Sequence, residues 1–73
     1  MVEENCQYKI IIKKRNSIFK TVLTVWANTN NLEDVENLIK DKINKTYFSI
    51  VTSDAKVYVI STYEIEEVVV KPI

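Results

Sequence analysis

Along this chain the spacing of apolar residues changes period twice: two alternating stretches, then one in which apolar positions recur every three or four residues, then alternation again. A strand sends successive side chains to opposite faces, whereas a helix returns to one face about every 3.6 residues. The two switches therefore divide the chain into strands, one helix and further strands. From Cys6 to Lys14, Cys6, Tyr8, Ile10 and Ile12 fall on one face and Gln7, Lys9, Ile11 and Lys13 on the other. Alternation resumes from Ile18 to Ala27, with Phe19, Leu23 and Val25 on the face of Thr21. The polar break at Arg15, Asn16 and Ser17 joins the two runs as a hairpin. No glycine is available anywhere in the chain to relieve a tight turn. Asn16 is the break residue best able to take a positive φ.

After the turn-like cluster Asn28–Asn31 the apolar positions are Leu32, Val35, Leu38, Ile39 and Ile43, which is the stripe of an amphipathic helix. Asn30 with Glu33, or Asn31 with Asp34, can cap its start. Acids lie in the first turns and Lys40, Lys42 and Lys45 in the last, opposing the helix dipole. Tyr47 to Thr52 and Lys56 to Ser61 read as a second hairpin about the turn Ser53–Asp54–Ala55. An irregular turn from Thr62 to Ile65 leads to a last strand, Glu66 to Lys71, closed by Pro72. The expected fold is α+β: a single small domain over residues 1–73, in the order ββαβββ. A mainly antiparallel curved sheet should carry one amphipathic helix, about residues 31–45, packed on it.

Composition removes much chemistry. With no histidine, one cysteine and no glycine among 73 residues, imidazole catalysis, zinc sites of the Cys/His kind and glycine-rich phosphate cradles all lack their residues. Cys6 lies on an apolar face, where it packs as a small apolar residue without a base to activate it. Glu64, Glu66 and Glu67 form the densest carboxylate group, but strand geometry divides them between two faces and suits a solvated edge. Asp34 and Asp41, seven apart on the helix, do not make a magnesium site unaided. The expectation is a non-enzymatic chain with no catalytic residues, no cofactor, no metal, and no small-molecule substrate evident.

The formal net charge of zero conceals a division. Lys9, Lys13, Lys14, Arg15 and Lys20 stand in residues 5–30 without an acid, while the last twelve residues carry three glutamates against Lys71. A basic first hairpin on an otherwise acidic body results. Apolar residues on the second face of the strands are equally informative. Ile11, Ile18, Val22 and Trp26 oppose the core-facing set, and Val68, Val69 and Val70 put valine on both faces of the last strand. A domain of this size buries only about 60% of its unfolded surface, so such residues either line a second layer in a partly closed barrel or remain as a patch. A strand like the last one is either central in its sheet or pairs with another chain. Protein contact through Ile11, Ile18, Val22, Trp26, Val68, Val69 and Val70, in a homo-oligomer or with another protein, is the leading expectation. The alternative is nucleic-acid binding, or an acidic partner, at Lys9, Lys13, Lys14, Arg15 and Lys20, with Lys13, Lys14 and Arg15 on phosphates.

Ile, Lys and Asn number 10, 9 and 7, whereas Ala, Pro and Arg number 2, 1 and 1, a bias that fits an AT-rich coding genome. In size and composition the chain resembles small accessory proteins of bacteria, phages and mobile elements, with no motif behind the likeness. No charged-then-apolar leader opens the chain, and no apolar run exceeds four residues, so a cytoplasmic location without membrane insertion is expected.

Overall fold

A computed structural model describes residues 6–43 and 46–73. The elements are β1 (Cys6–Lys14), β2 (Lys20–Ala27), α1 (Leu32–Ile43), β3 (Tyr47–Val51), β4 (Val57–Ser61), a 3-10 turn (Thr62–Glu64) and β5 (Ile65–Pro72). The fold is α+β in the expected order, and every strand pair is antiparallel. The strands form two hydrogen-bonded groups, β2-β1-β5 and β3-β4, bent around one core with α1 against β3 and β5. The expected helix residues 44 and 45 lie outside the described residues.

β1 is the central strand because its period-two pattern serves two partners at once. Its inward residues Tyr8, Ile10 and Ile12 are buried with Val25 of β2, Val35 and Ile39 of α1, Phe48 and Ile50 of β3, and Ile60 of β4. Tyr8 buries its ring and donates its hydroxyl to the Thr29 carbonyl at 2.7 Å, which satisfies the one polar group it carries inward. Burial also pushes the Tyr8 pKa up.

Helix α1 begins where Asn31 Oδ1 accepts from the Glu33 amide at 3.0 Å, and Thr29 Oγ1 donates to Asp34 Oδ2 at 3.1 Å. The first of these bonds gives an orphan amide of the first turn its partner, and the second ties the Asp34 side chain to the segment before the helix. Val35 and Ile39 are buried, but Leu38, expected on the same stripe, is exposed. At 3.6 residues per turn Leu38 sits roughly 100° from the line through Leu32, Val35, Ile39 and Ile43, beyond what one contact face covers.

Two turns are made without glycine. Asn16 holds φ 59° in the first hairpin, and Ala55 holds φ 63° in the second. In the second, the Thr52 amide donates to the Lys56 carbonyl and the Ala55 amide to the Thr52 carbonyl, a three-residue loop whose last position is left-handed. The first loop is longer than the alternation predicts. The Phe19 amide donates to Ser17 Oγ at 3.2 Å, a local turn that delays β2 until Lys20 and leaves Ile18 outside the strand.

Candidate interaction surface

Residues paired across antiparallel strands share a face, so the register fixes the outer surface of β2-β1-β5. Val22, Ile11 and Val69 form one row across the sheet. The neighbouring rows are Thr24, Lys9 and Lys71 on one side and Lys20, Lys13 and Glu67 on the other, with Trp26 opposite Gln7 beyond the first. Val22 and Trp26 are each 55% exposed, while Ile11 and Val69 are half-buried by their neighbours. An apolar line rimmed by four lysines results.

The other candidates go elsewhere. Val68 and Val70 point inward and pack against the core, so only Val69 of the three valines belongs to the outer face. Ile18 is 89% exposed in the hairpin loop beside exposed Phe19, away from the Val22 row. Strand β5 is not central: it occupies the edge next to β1.

The basic residues are not a free arm either. The β1–β5 register slips between Lys13 and Lys14, leaving Glu66 as the extra residue of a bulge. Glu66 Oε2 meets Lys13 Nζ at 2.5 Å. That hydrogen bond, and then the charge itself, raises the Lys13 pKa and lowers that of Glu66. Arg15 donates its Nε to the Tyr63 carbonyl at 3.0 Å and its amide to the Glu64 carbonyl at 2.8 Å, so the hairpin end is tied to the 3-10 turn. Lys14 stands opposite Ile65 past the bulge. Lys9 and Lys20 remain on the outer face with Lys71, and no salt bridge among the described residues engages them.

A second outward face was hidden in the alternation of the other hairpin. Phe48, Ile50 and Ile60 face the core, which turns Tyr47, Ser49, Val51, Val57 and Val59 outward in directly paired rows without a charge. The signal is present in the sequence, since neither strand carries a charged residue at all. Between β2 and this hairpin lies an open cleft of about 500 Å³, bounded by Val22–Thr24, Thr52–Asp54 and Lys56–Tyr58. The Ser53 amide closes one end by donating to the Thr24 carbonyl at 2.7 Å. At its mouth, the Thr52 hydroxyl bonds the Asp54 carboxylate and holds its pKa below the ordinary value.

Among the described residues Tyr8 is the one buried side chain that can ionise, no carboxylate or cationic side chain is buried, and no group of three or more Cys, Asp or Glu is placed to hold a metal. No described helix is long and apolar enough to cross a membrane. Set against known proteins, the chain matches no family model, no curated sequence and no solved structure.

Proposed function

We propose that this chain is a non-enzymatic protein-interaction module, acting as a homo-oligomer or as the binder of another protein. The observation that carries the reading is the outward row Val22, Ile11 and Val69 flanked by Lys9, Lys13, Lys20 and Lys71, with half-exposed Trp26 on the same face beyond the Thr24–Lys9–Lys71 row. Desolvating such a row against a partner is favourable at about 25 cal/mol per Å², and a tryptophan beside a charged rim is the usual composition of a contact centre. A partner suited to it presents an apolar ridge bordered by acids. The chain's lack of histidine and the solvated state of its described carboxylates and lysines support a role without chemistry. A cytoplasmic accessory role in a bacterium, phage or mobile element with an AT-rich genome accompanies this reading.

Substituting Val22→Lys together with Trp26→Ala tests it. Wild type should self-associate or retain a specific protein from extracts of its source, and the double variant should lose whatever contact the Val22 row makes while keeping its fold and any association made through another surface. Wild type with neither property overturns the reading.

Nucleic-acid binding is the second reading, favoured by Lys9, Lys20 and Lys71 sharing the face of Trp26. Engagement of Lys13 by Glu66 and of Arg15 by a backbone carbonyl weighs against it, as does a formal net charge of zero. Absence of DNA or RNA binding at about 50 mM salt removes it.

A further inference from the structure

We infer that β5 is a self-complementary edge at which a second copy of this chain pairs antiparallel about Val69, joining two three-stranded sheets into one of six strands. The inference rests on the interaction reading above and names its partner. The argument starts from the direction of the backbone groups. The Ile73 amide donates to the Gln7 carbonyl and the Arg15 amide to the Glu64 carbonyl, so the odd-numbered residues of β1 turn their peptide groups toward β5. The outward Thr24 carbonyl, which accepts from Ser53, agrees with that parity on the β2 side. Val69, opposite Ile11, therefore bonds β1, and Val68 and Val70 turn their N–H and C=O groups to the open edge. Among the described residues no strand pairs with that edge. The equivalent edge of β2 is closed at Thr24.

Edge strands with valine on both faces invite pairing unless charge or proline blocks them. Here the flanking charges are arranged so that a two-fold axis converts them from a block into a match. Counting outward from Val69, the residues are Val68 and Val70, then Glu67 and Lys71, then Glu66 and Pro72. Antiparallel pairing about Val69 sets Val68 opposite Val70 of the second copy, with both residues offering hydrogen bonds. It sets Glu67 opposite Lys71, twice, once on each side of the axis. Lys71 also stands opposite Lys9 within its own sheet, a like-charge neighbour that an incoming Glu67 offsets. The row Val22, Ile11 and Val69 runs on into its own copy. Beneath the edge a groove of about 270 Å³, with Ile39 and Ile43 on its floor and Glu36 and Lys40 on its rim, offers room for the inward valines of the added strand.

The test is a charge exchange read by sedimentation equilibrium at neutral pH. Wild type should dimerise. Glu67→Lys alone and Lys71→Glu alone each turn two facing opposite charges into two like ones and should each weaken dimerisation roughly tenfold. An equimolar mixture of the two single variants should recover it as a heterodimer, because one then carries only lysines along that row and the other only glutamates. All four side chains are exposed, so folding is not at issue. A second readout uses Val69→Cys in a Cys6→Ser background. Across the axis the two Cα atoms of this non-hydrogen-bonded pair lie about 4.5 Å apart, within disulfide range, and oxidation should give a covalent dimer. A monomeric wild type, or self-association that ignores the exchange and does not cross-link at residue 69, overturns the inference. The interaction reading is judged separately by Val22→Lys with Trp26→Ala, which lies two strands from this edge.

Discussion

Ala55 is the place where a chain without glycine carries a conformation that glycine takes freely, and its substitution has a sign that contact counting would miss. At φ 63° the Ala55 Cβ crowds its own carbonyl, which costs an L-residue roughly 1–2 kcal/mol. Ala55→Gly removes that cost, while the added freedom of the unfolded chain takes back about 0.4–1 kcal/mol. The balance is a stabilisation of about 0.5–1 kcal/mol, or a Tm rise of roughly 2–8 °C for a domain of this size. Ala55 is exposed, so nothing packs on the lost methyl to oppose this. Asn16 is the internal control: it holds φ 59° but is a residue type that tolerates the left-handed region, so Asn16→Ala should destabilise by about 1 kcal/mol. Urea titration of both variants beside wild type, with unchanged slopes, measures the pair. A lower midpoint for Ala55→Gly would refute the left-handed loop and with it the register that aligns Val51 with Val57.

Asn31→Ala should cost about 1 kcal/mol, because it strips the acceptor from the Glu33 amide at the start of α1, and loss of helical ellipticity with a lower midpoint checks it. Tyr8→Phe should cost roughly 1 kcal/mol by leaving the Thr29 carbonyl without its donor, read in the same urea titration. For the Lys13–Glu66 pair the pH dependence has two limbs. Glu66 is lowered from 4.5, so its contribution is present above that value and is lost as pH falls through the folded pKa; Lys13 is raised from 10.5, so its contribution is present below that value and is lost as pH rises through the folded pKa. Wild type should therefore exceed Glu66→Gln in stability by a small, salt-sensitive margin between those limits and converge with it at both extremes. Equal pH profiles for the two proteins would contradict the pair.

What the sequence discloses here is local. Alternation in Cys6–Lys14 identifies the buried face of β1, and the Leu32–Ile43 spacing identifies the helix, because each period is set by the backbone of its own element. Asn16 is legible for the same reason. Strand order is not, since β1 meets β5 across more than fifty residues through backbone bonds that any side chain permits. Alternation separates Val69 from Val68 and Val70, but only the β1–β5 register shows that the pair faces the core and Val69 the outer face. The Lys13–Glu66 bond depends on a bulge that no composition announces, and it changes the basic hairpin from a projecting arm into a strand flanked by glutamates. Ile18 escapes β2 through a Ser17 turn that competes with the alternation. The uncharged outer rows of β3 and β4 could have been read from parity alone, once Phe48, Ile50 and Ile60 were assigned inward.

The most direct measurement is amide hydrogen exchange at Val68, Val69 and Val70 as a function of protein concentration. Pairing with a second copy predicts that the Val68 and Val70 amides gain protection as concentration rises, that the Val69 amide, bonded to β1, starts out protected, and that the Val22 and Trp26 amides on the opposite edge do not respond. Protection at Val68 and Val70 that is independent of concentration while the protein stays monomeric would contradict it.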